Sequence, residues 1–389
     1  MKIKPTVQVS PLHLAMKVSL SQASSKRIAG ESVWAVAERN GIKGLGEGCP
    51  RPYVTGETVT SALDWLNEVL PSICEAAISF ENFQVWISIN RKSIDTNPAA
   101  FCSVETALLD LFAKEKNGSV EQLLGLKNVG GPYQYTAVLG DAGEATFSAL
   151  VDRYLKIGFT DFKVKIMSDL EKDRRKLDIL LEKCQAAGFA RPRIRLDANN
   201  VWETADEAIH FLQQLQPVFF AVEEPVTPKD YVALSTIGQS LHTSIILDES
   251  LCNLHDLERL EGVDGKFIAN IKVSRVGGVI RAIELVKALQ KKGIPIIIGA
   301  HVAETSVMTR AGLSVANAAG MDLLAQEGAF GLILLENEPV HPSLMFGARG
   351  RLDLSKPYLV KTKEEQEEIP VGNWSYGWGV VESNSAGLS

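Results

Sequence analysis

The sequence predicts an α/β protein: a (β/α)8-type barrel with an N-terminal α+β lid that the C-terminal segment completes. Three observations carry this. Short apolar strands alternate with helical segments from about Tyr133 to Leu334. The strands end in polar residues at regular intervals: Lys165 to Asp197 is 32 positions, then 26 to Glu223, 25 to Asp248 and 24 to Lys272. A βα unit takes about 25 to 30 residues in a barrel of about 250. The first 130 or so residues instead run strands first and helices after, the order of an α+β unit. The expected units are 1–132 for the lid, 133–334 for the barrel, and 335–389 for a segment returning to the lid.

In the lid, Ser32–Glu38 and Ile42–Glu47 flank Asn40-Gly41, a strong hairpin turn. Ser19 to Gly30 is too polar for a core. Gly44-Leu45-Gly46-Glu47-Gly48 is no dinucleotide fingerprint, because it opens no helix, and a plain turn is expected there. Thr55-Gly56-Glu57-Thr58 opens a helical region, with amphipathic helices over about Thr58–Leu70 and Ser103–Lys116.

The barrel strands are expected at Tyr135–Leu139, Phe162–Ile166, Arg193–Asp197, Val218–Glu223, Ser244–Asp248, Phe267–Lys272, Ile294–Gly299 and about Leu323–Gln326. Helices follow near Ala142, Asp169, Thr204 and Pro228. Beyond Leu334 the chain becomes loop-like, with a charged run Lys361–Glu368 and two tryptophans, Trp374 and Trp378. Disorder is expected from Ser383 to Ser389.

Composition narrows the function classes. The 389 residues are 46% hydrophobic and 22% charged, with a net charge of −7. That balance disfavours a nucleic-acid partner. No apolar run approaches the roughly 18 residues of a membrane span, and the first residues lack a signal-peptide core. The five cysteines (Cys49, Cys74, Cys102, Cys184, Cys252) are scattered, with no Cys-x-x-Cys, as in a reduced cytoplasmic protein. A soluble cytoplasmic chain is expected, with a homo-oligomer possible.

The chemistry gathers at the strand ends, which converge on one mouth in a parallel barrel. A single acid there is as readily a helix cap as a ligand. Asp197, Glu223 and Asp248 at three successive ends would repel one another strongly unless a divalent cation lay between them. All-oxygen donors point to Mg2+, with Mn2+ a substitute. Lys163 and Lys165 alternate onto one face of their strand. Alone, such a pair reads as a solvated face. Beside three acids, each lysine can lower the pKa of the other, as a base near neutral pH requires. Lys272 lies four strands away, on the opposite wall, so a base can stand on either side of a substrate carbon.

The motifs Lys163-Val164-Lys165, Leu196-Asp197-Ala198-Asn199, Val222-Glu223-Glu224-Pro225, Leu247-Asp248-Glu249-Ser250, Asn270-Ile271-Lys272 and Gly277-Gly278 span most of the barrel. Together they resemble the enolase superfamily, in its muconate-lactonizing subgroup within the mandelate racemase/muconate lactonizing enzyme family. Such sites pair a Lys or His base with Mg2+. The resemblance implies Asp197, Glu223 and Asp248 as Mg2+ ligands, with Lys165 and Lys272 as opposed acid and base. Lys163 would assist at the substrate carboxylate and lower the pKa of Lys165. Glu224 and Glu249 leave the choice of coordinating carboxylate open.

The implied reaction removes the proton α to a carboxylate through a metal-stabilised enediolate. Racemisation or epimerisation of an amino-acid derivative leads, because opposed lysines suit 1,1-proton transfer. A muconate-type cycloisomerase and a syn-dehydratase use the same intermediate. A Schiff-base lyase or aldolase, and a silent binding protein, are more remote. Lys272 stands where the mandelate-racemase branch has the Asp of a His-Asp dyad, which disfavours that branch. His301 resembles the dyad His in position, and a substrate hydrogen bond or a loop role is the preferred reading. Where dipeptide epimerases carry Asp-x-Asp, this chain has Gln326-Glu327-Gly328, which counts against a dipeptide. Glu327 and Glu304 each grip a substrate group or merely cap a turn. Asn199 and Tyr53 are further candidate substrate contacts. Tyr53 lies in the lid loop Cys49–Gly56, which together with the polar segment Ser19–Gly30 would set specificity. Lys26 and Arg27 in that segment and Arg51 in the loop attract a second anionic group or are simply solvated.

Overall fold

The computed structural model describes residues 3–22, 25–189, 191–215, 219–355, 358–361, 368–371 and 374–383, with backbone alone at 18–22, 25–28, 358–361 and 368–371. The side chains of Lys26 and Arg27, most of the charged run, and the tail beyond Ser383 lie outside this description.

Eight parallel strands form the central sheet in sequence order. They are Ala137–Leu139, Asp161–Lys165, Arg193–Asp197, Ala221–Glu223, Ser244–Leu247, Phe267–Ile271, Ile296–Ile298 and Leu323–Gln326. Thr136 N donates to Gln326 O (2.8 Å), which returns the eighth strand to the start of the first. The intervening helices begin where local chemistry says they should. Asp169, Thr204, Asp230 and Asn253 each accept a backbone N–H from the first turn of the helix that follows.

Inside the barrel, Ala221, Ile246, Ile268 and Ile297 form an apolar plug separate from the main core. Full burial of a side chain of Ile size is worth roughly 1.5–3 kcal/mol, so the plug helps offset the charged layer above it. Among the described residues, no helix is long and apolar enough to cross a membrane. All five cysteines are free thiols.

The lid sheet pairs Thr6–Gln22, Ser25–Arg39 and Ile42–Gly48 antiparallel. Gly44 to Gly48 is therefore strand and not turn. The reason is contact: a Cβ on Gly44, Gly46 or Gly48 would lie 2.1, 2.1 and 1.9 Å from the carbonyl oxygens of Ala107, Ser103 and Ala99. Every second residue must be glycine so that the backbone of helix Pro98–Glu115 can lie directly on the strand. Gly46→Ala should cost about 3 kcal/mol, at the upper end for overpacking, because the clash is with backbone. Urea melting of the pure variant checks this, and a loss below 1 kcal/mol would show that the helix can shift.

That helix is not amphipathic, as its sequence suggested, but buried on all sides from Pro98 to Ala113. Its polar residues are internal links. Thr106 Oγ1 accepts from Glu47 N (3.2 Å), and Asp110 accepts from Leu45 N (2.9 Å) and from Trp378 N (2.7 Å). Trp378 also donates its indole N–H to Thr106 O (3.0 Å), which fastens the C-terminal segment to the lid.

Lid and barrel are joined by buried carboxylates that satisfy helix N-termini, whose first N–H groups lack partners within the helix. Glu105 accepts from Val279 N (3.0 Å) and Ile280 N (2.8 Å), at the start of helix Val279–Lys292. Glu47 accepts from Thr305 N (3.0 Å) and Thr305 Oγ1 (2.5 Å), at the start of helix Ser306–Ala319. Arg51, read from sequence as a loop charge, is 1% exposed. Its guanidinium donates to Glu31 O (2.8 Å) and Pro50 O (2.7 Å) in the lid and to Val302 O (2.9 Å) in the barrel.

Candidate active site

Strand register sets the heights of the side chains. Lys165 pairs with Asp197, and Asp197 with Glu223, so three charged ends of adjacent strands stand level at the mouth. Lys163 pairs with Arg195 one inward-facing position lower. The lumen is thus layered, with the apolar plug at the bottom, a charged layer above it, and the mouth on top.

In the charged layer Lys163 Nζ lies 2.8 Å from Glu223 Oε1, 3.1 Å from Asp197 Oδ2 and 3.2 Å from Glu327 Oε2. Burial pulls the Lys163 ammonium down, but the three carboxylates outweigh it and raise its pKa. The sequence suggested the opposite, because two neighbouring lysines would depress each other. The acids that make the site also surround this lysine. Glu327 spends its second oxygen on Arg195 Nη2 (2.8 Å). Burial pushes Glu327 up, yet Lys163 and Arg195 hold it down at about 2.

At the mouth, Lys165 Nζ lies 3.2 Å from Asp197 Oδ2 and donates to Asn199 Oδ1 at 2.6 Å. Asn199 reaches the candidate base from a left-handed backbone position, φ 46°. On the opposite wall, Lys272 Nζ lies 2.6 Å from Asp248 Oδ2, and Arg275 holds the other oxygen of Asp248. Glu224 turns away from the mouth: it accepts from Asp248 N (2.6 Å), Ser250 N (2.8 Å) and Ser250 Oγ (2.8 Å). It shapes the loop that presents Asp248, which leaves Glu223 as the inward carboxylate of that pair.

The donor set fits a hard divalent cation. Three carboxylates stand on three successive strands, all donors are oxygen, and Glu223 Oε2 is buried with no protein partner. Buried polar atoms are almost always satisfied, so an orphaned carboxylate oxygen points to a missing positive ligand. Glu249 Oε2, beside Asp248, is orphaned in the same way. Among the described residues no three acids converge closely enough to enclose an ion by themselves. Ammonium groups and Arg275 stand between them.

The remaining candidates are Tyr53, His301, Glu304 and Glu327. Tyr53 is 42% exposed on its lid loop and lines neither of two small cavities at the ends of the seventh and eighth strands. His301 lines the first cavity, Glu327 the second, and Glu304 both. Glu304 Oε1 accepts from His301 N (2.7 Å). Burial pushes the Glu304 carboxyl up to about 8, offset in part by that N–H, while Glu47 raises it and Arg51 and Lys272 lower it. A raised carboxyl favours the folded state below its unfolded pKa of about 4.3, and that contribution is lost as pH rises through about 8. Glu304→Gln should flatten the fall in melting temperature between about pH 5 and pH 8, measured without ligand.

Arg195 and Arg275 are not singled out by the sequence, which gives Asn270 only as part of a motif and Glu249 only as an alternative ligand. Asn270 Nδ2 donates to Glu223 Oε1 at 3.1 Å. A signal existed for Arg195: strand alternation puts it on the same face as Asp197.

Comparisons with known proteins bear on this geometry. Residues 2–125 match the family described as mandelate racemase/muconate lactonizing enzyme, N-terminal domain, and residues 146–346 match the enolase C-terminal domain-like family. The hydrophobic dipeptide epimerase of Enterococcus faecalis is 26% identical over 92% of this chain and 98% of its own. The N-succinyl-L-Arg/Lys racemase of Bacillus cereus is 25% identical over 71% of this chain and 73% of its own. The crystal structure of muconate lactonizing enzyme from Pseudomonas fluorescens with muconolactone shares the fold at a TM-score of 0.83, with 18% identity over 98% of each chain. The chain belongs to the mandelate racemase/muconate lactonizing enzyme family of the enolase superfamily.

Proposed function

We propose that this chain is a Mg2+-dependent racemase or epimerase that removes and returns the proton α to the carboxylate of an amino-acid derivative. The observation that carries the reading is the pair of lysines on opposite walls of one mouth, Lys165 on the second strand and Lys272 just past the sixth. One takes the α-proton from one face of the carbon and the other returns a proton to the opposite face. Asn199 and Asp197 position the Lys165 head, and Asp248 positions that of Lys272. Asp197, Glu223 and Asp248 would hold the metal, displacing ammonium contacts they make here. When bound, Mg2+ supplies positive charge at the substrate carboxylate, where negative charge builds as the proton leaves. Lys163, held by three acids, fixes the spacing of two of those ligands. Relatives that are named dipeptide epimerases and amino-acid racemases support the substrate class.

The test is α-proton exchange in D2O with a panel of N-acyl amino acids and dipeptides. With Mg2+, deuterium should enter at the α-carbon as optical purity is lost. Chelation should stop both, and Mg2+ or Mn2+ should restore them. Absence of exchange across the panel in the presence of Mg2+ would sink the reading. A lactone, or loss of water, would assign the chain to a cycloisomerase or a dehydratase.

A further inference from the structure

Lys176 and Asp173 form a buried ion pair that the reaction gives no task. Both stand on helix Leu170–Ala186, one turn apart, directly after the strand that carries Lys165. Lys176 Nζ lies 2.7 Å from Asp173 Oδ1, and the two residues are 5% and 0% exposed. Stability alone does not account for such a pair, since apolar residues of similar volume serve a buried site as well or better. Their other bonds lead to the backbone beside the candidate base. Lys176 donates to Lys165 O (2.8 Å), and to Asp141 Oδ1 at 3.3 Å, while Asp173 Oδ2 accepts from Met167 N (2.9 Å).

Two of these bonds grip one peptide plane. The carbonyl of Lys165 and the N–H of Ile166 belong to the same rigid unit. Lys176 holds the carbonyl, and Ile166 N donates to Asp197 O (3.0 Å) on the neighbouring strand. Asp173 then fixes the next N–H, that of Met167. A plane held at both polar ends, with the strand ladder before it, sets the direction in which the Lys165 side chain leaves the backbone. A long side chain multiplies any tilt at its root, and about 1 Å of misplacement can cost about 100-fold in rate. The opposite base is held otherwise. Lys272 O accepts from Val276 N (3.1 Å), inside its own turn, so its strand end rests on backbone alone.

We infer that Lys176, seated by Asp173, is a positioning residue for Lys165: it serves the proton transfer on one face of the substrate carbon and not the transfer on the other. This rests on the racemase or epimerase reading above and goes beyond it, because it gives the two faces of the reaction different sensitivities to a change outside the mouth. Lys176 touches no reacting atom; it acts through the backbone of the residue that does.

The experiment follows α-deuterium exchange in D2O by the full chain with Mg2+, on separate D and L forms of the panel substrate that wild type exchanges fastest. Lys165→Ala identifies the enantiomer that faces Lys165, as the one whose exchange it stops. Lys176→Met should slow kcat for that enantiomer by roughly 10- to 100-fold with KM within about twofold, as misplacement without loss of binding implies. Exchange of the other enantiomer should stay within about twofold of wild type. Because Lys176→Met leaves Asp173 buried without its partner, Lys176→Met combined with Asp173→Asn is the second variant. It keeps an acceptor for Met167 N, leaves neither residue charged, and should show the same one-sided loss. A merely structural pair would lower both enantiomers together or leave both unchanged. Either result in the folded double variant would overturn the inference and leave the exchange reaction standing. Exchange of neither enantiomer by wild type would remove both readings together.

Discussion

Lys165→Ala and Lys272→Ala should each reduce racemisation by about a thousandfold, yet fail in opposite ways. General acid–base groups typically contribute about 10²- to 10⁴-fold, and inversion needs both of them. Exchange without inversion needs only one. Each variant should therefore still exchange the α-proton of the one enantiomer that faces its surviving lysine. Following deuterium entry into separate D and L substrates by NMR tests this directly. Lys163→Met should behave differently, losing exchange on both enantiomers together, because Lys163 touches Asp197 and Glu223 and not one side of the carbon. If the two single-lysine variants showed the same enantiomer dependence, the lysines would not be opposed bases. Circular dichroism should show all three variants folded.

The barrel was legible because its strands are short, apolar and closed by polar residues at regular spacing. Leu323–Gln326 was recoverable even though it is the weakest strand, since the preceding period placed it. The layer at the mouth was legible for the same reason: alternation fixes which residues face the lumen. What stayed hidden depends on contacts distant in sequence. Arg51 reads as a solvated loop charge until the barrel brings Val302 O to it. The polar residues of helix Pro98–Glu115 read as a wet face until the lid strand and Trp378 claim them. Gly44, Gly46 and Gly48 read as turn because glycine weakens an ordinary strand. Only the helix backbone pressed against them explains the pattern. Lys163 shows the limit for electrostatics: sequence gives its neighbour's charge, whereas three acids from three other strands decide its own.

Arg195→Met should be among the most destabilising single changes in the barrel, at about 3–5 kcal/mol, without altering any residue at the mouth. Arg195 is fully buried and reaches three partners across the lumen: Asp161 Oδ1 at 2.6 Å, Thr136 Oγ1 at 3.0 Å and Glu327 Oε1 at 2.8 Å. Thr136 and Glu327 flank the hydrogen bond that brings the eighth strand back to the first, so this one side chain ties the closure of the barrel to its third strand. Methionine keeps much of the volume but removes the cation, leaving Glu327 with Lys163 alone at 3.2 Å and Asp161 with Arg193 alone at 3.6 Å. Breaking such a pair from one side costs about 3–5 kcal/mol, far more than the pair contributes over an apolar substitute. The loss should therefore be partly reversible. Arg195→Met combined with Glu327→Gln neutralises one stranded acid, and urea melting should show the double variant more stable than the single by about 1 kcal/mol or more. A single variant within 1 kcal/mol of the parent, or a double variant no better than the single, would mean that water reaches the charged layer and the network is not what closes the barrel.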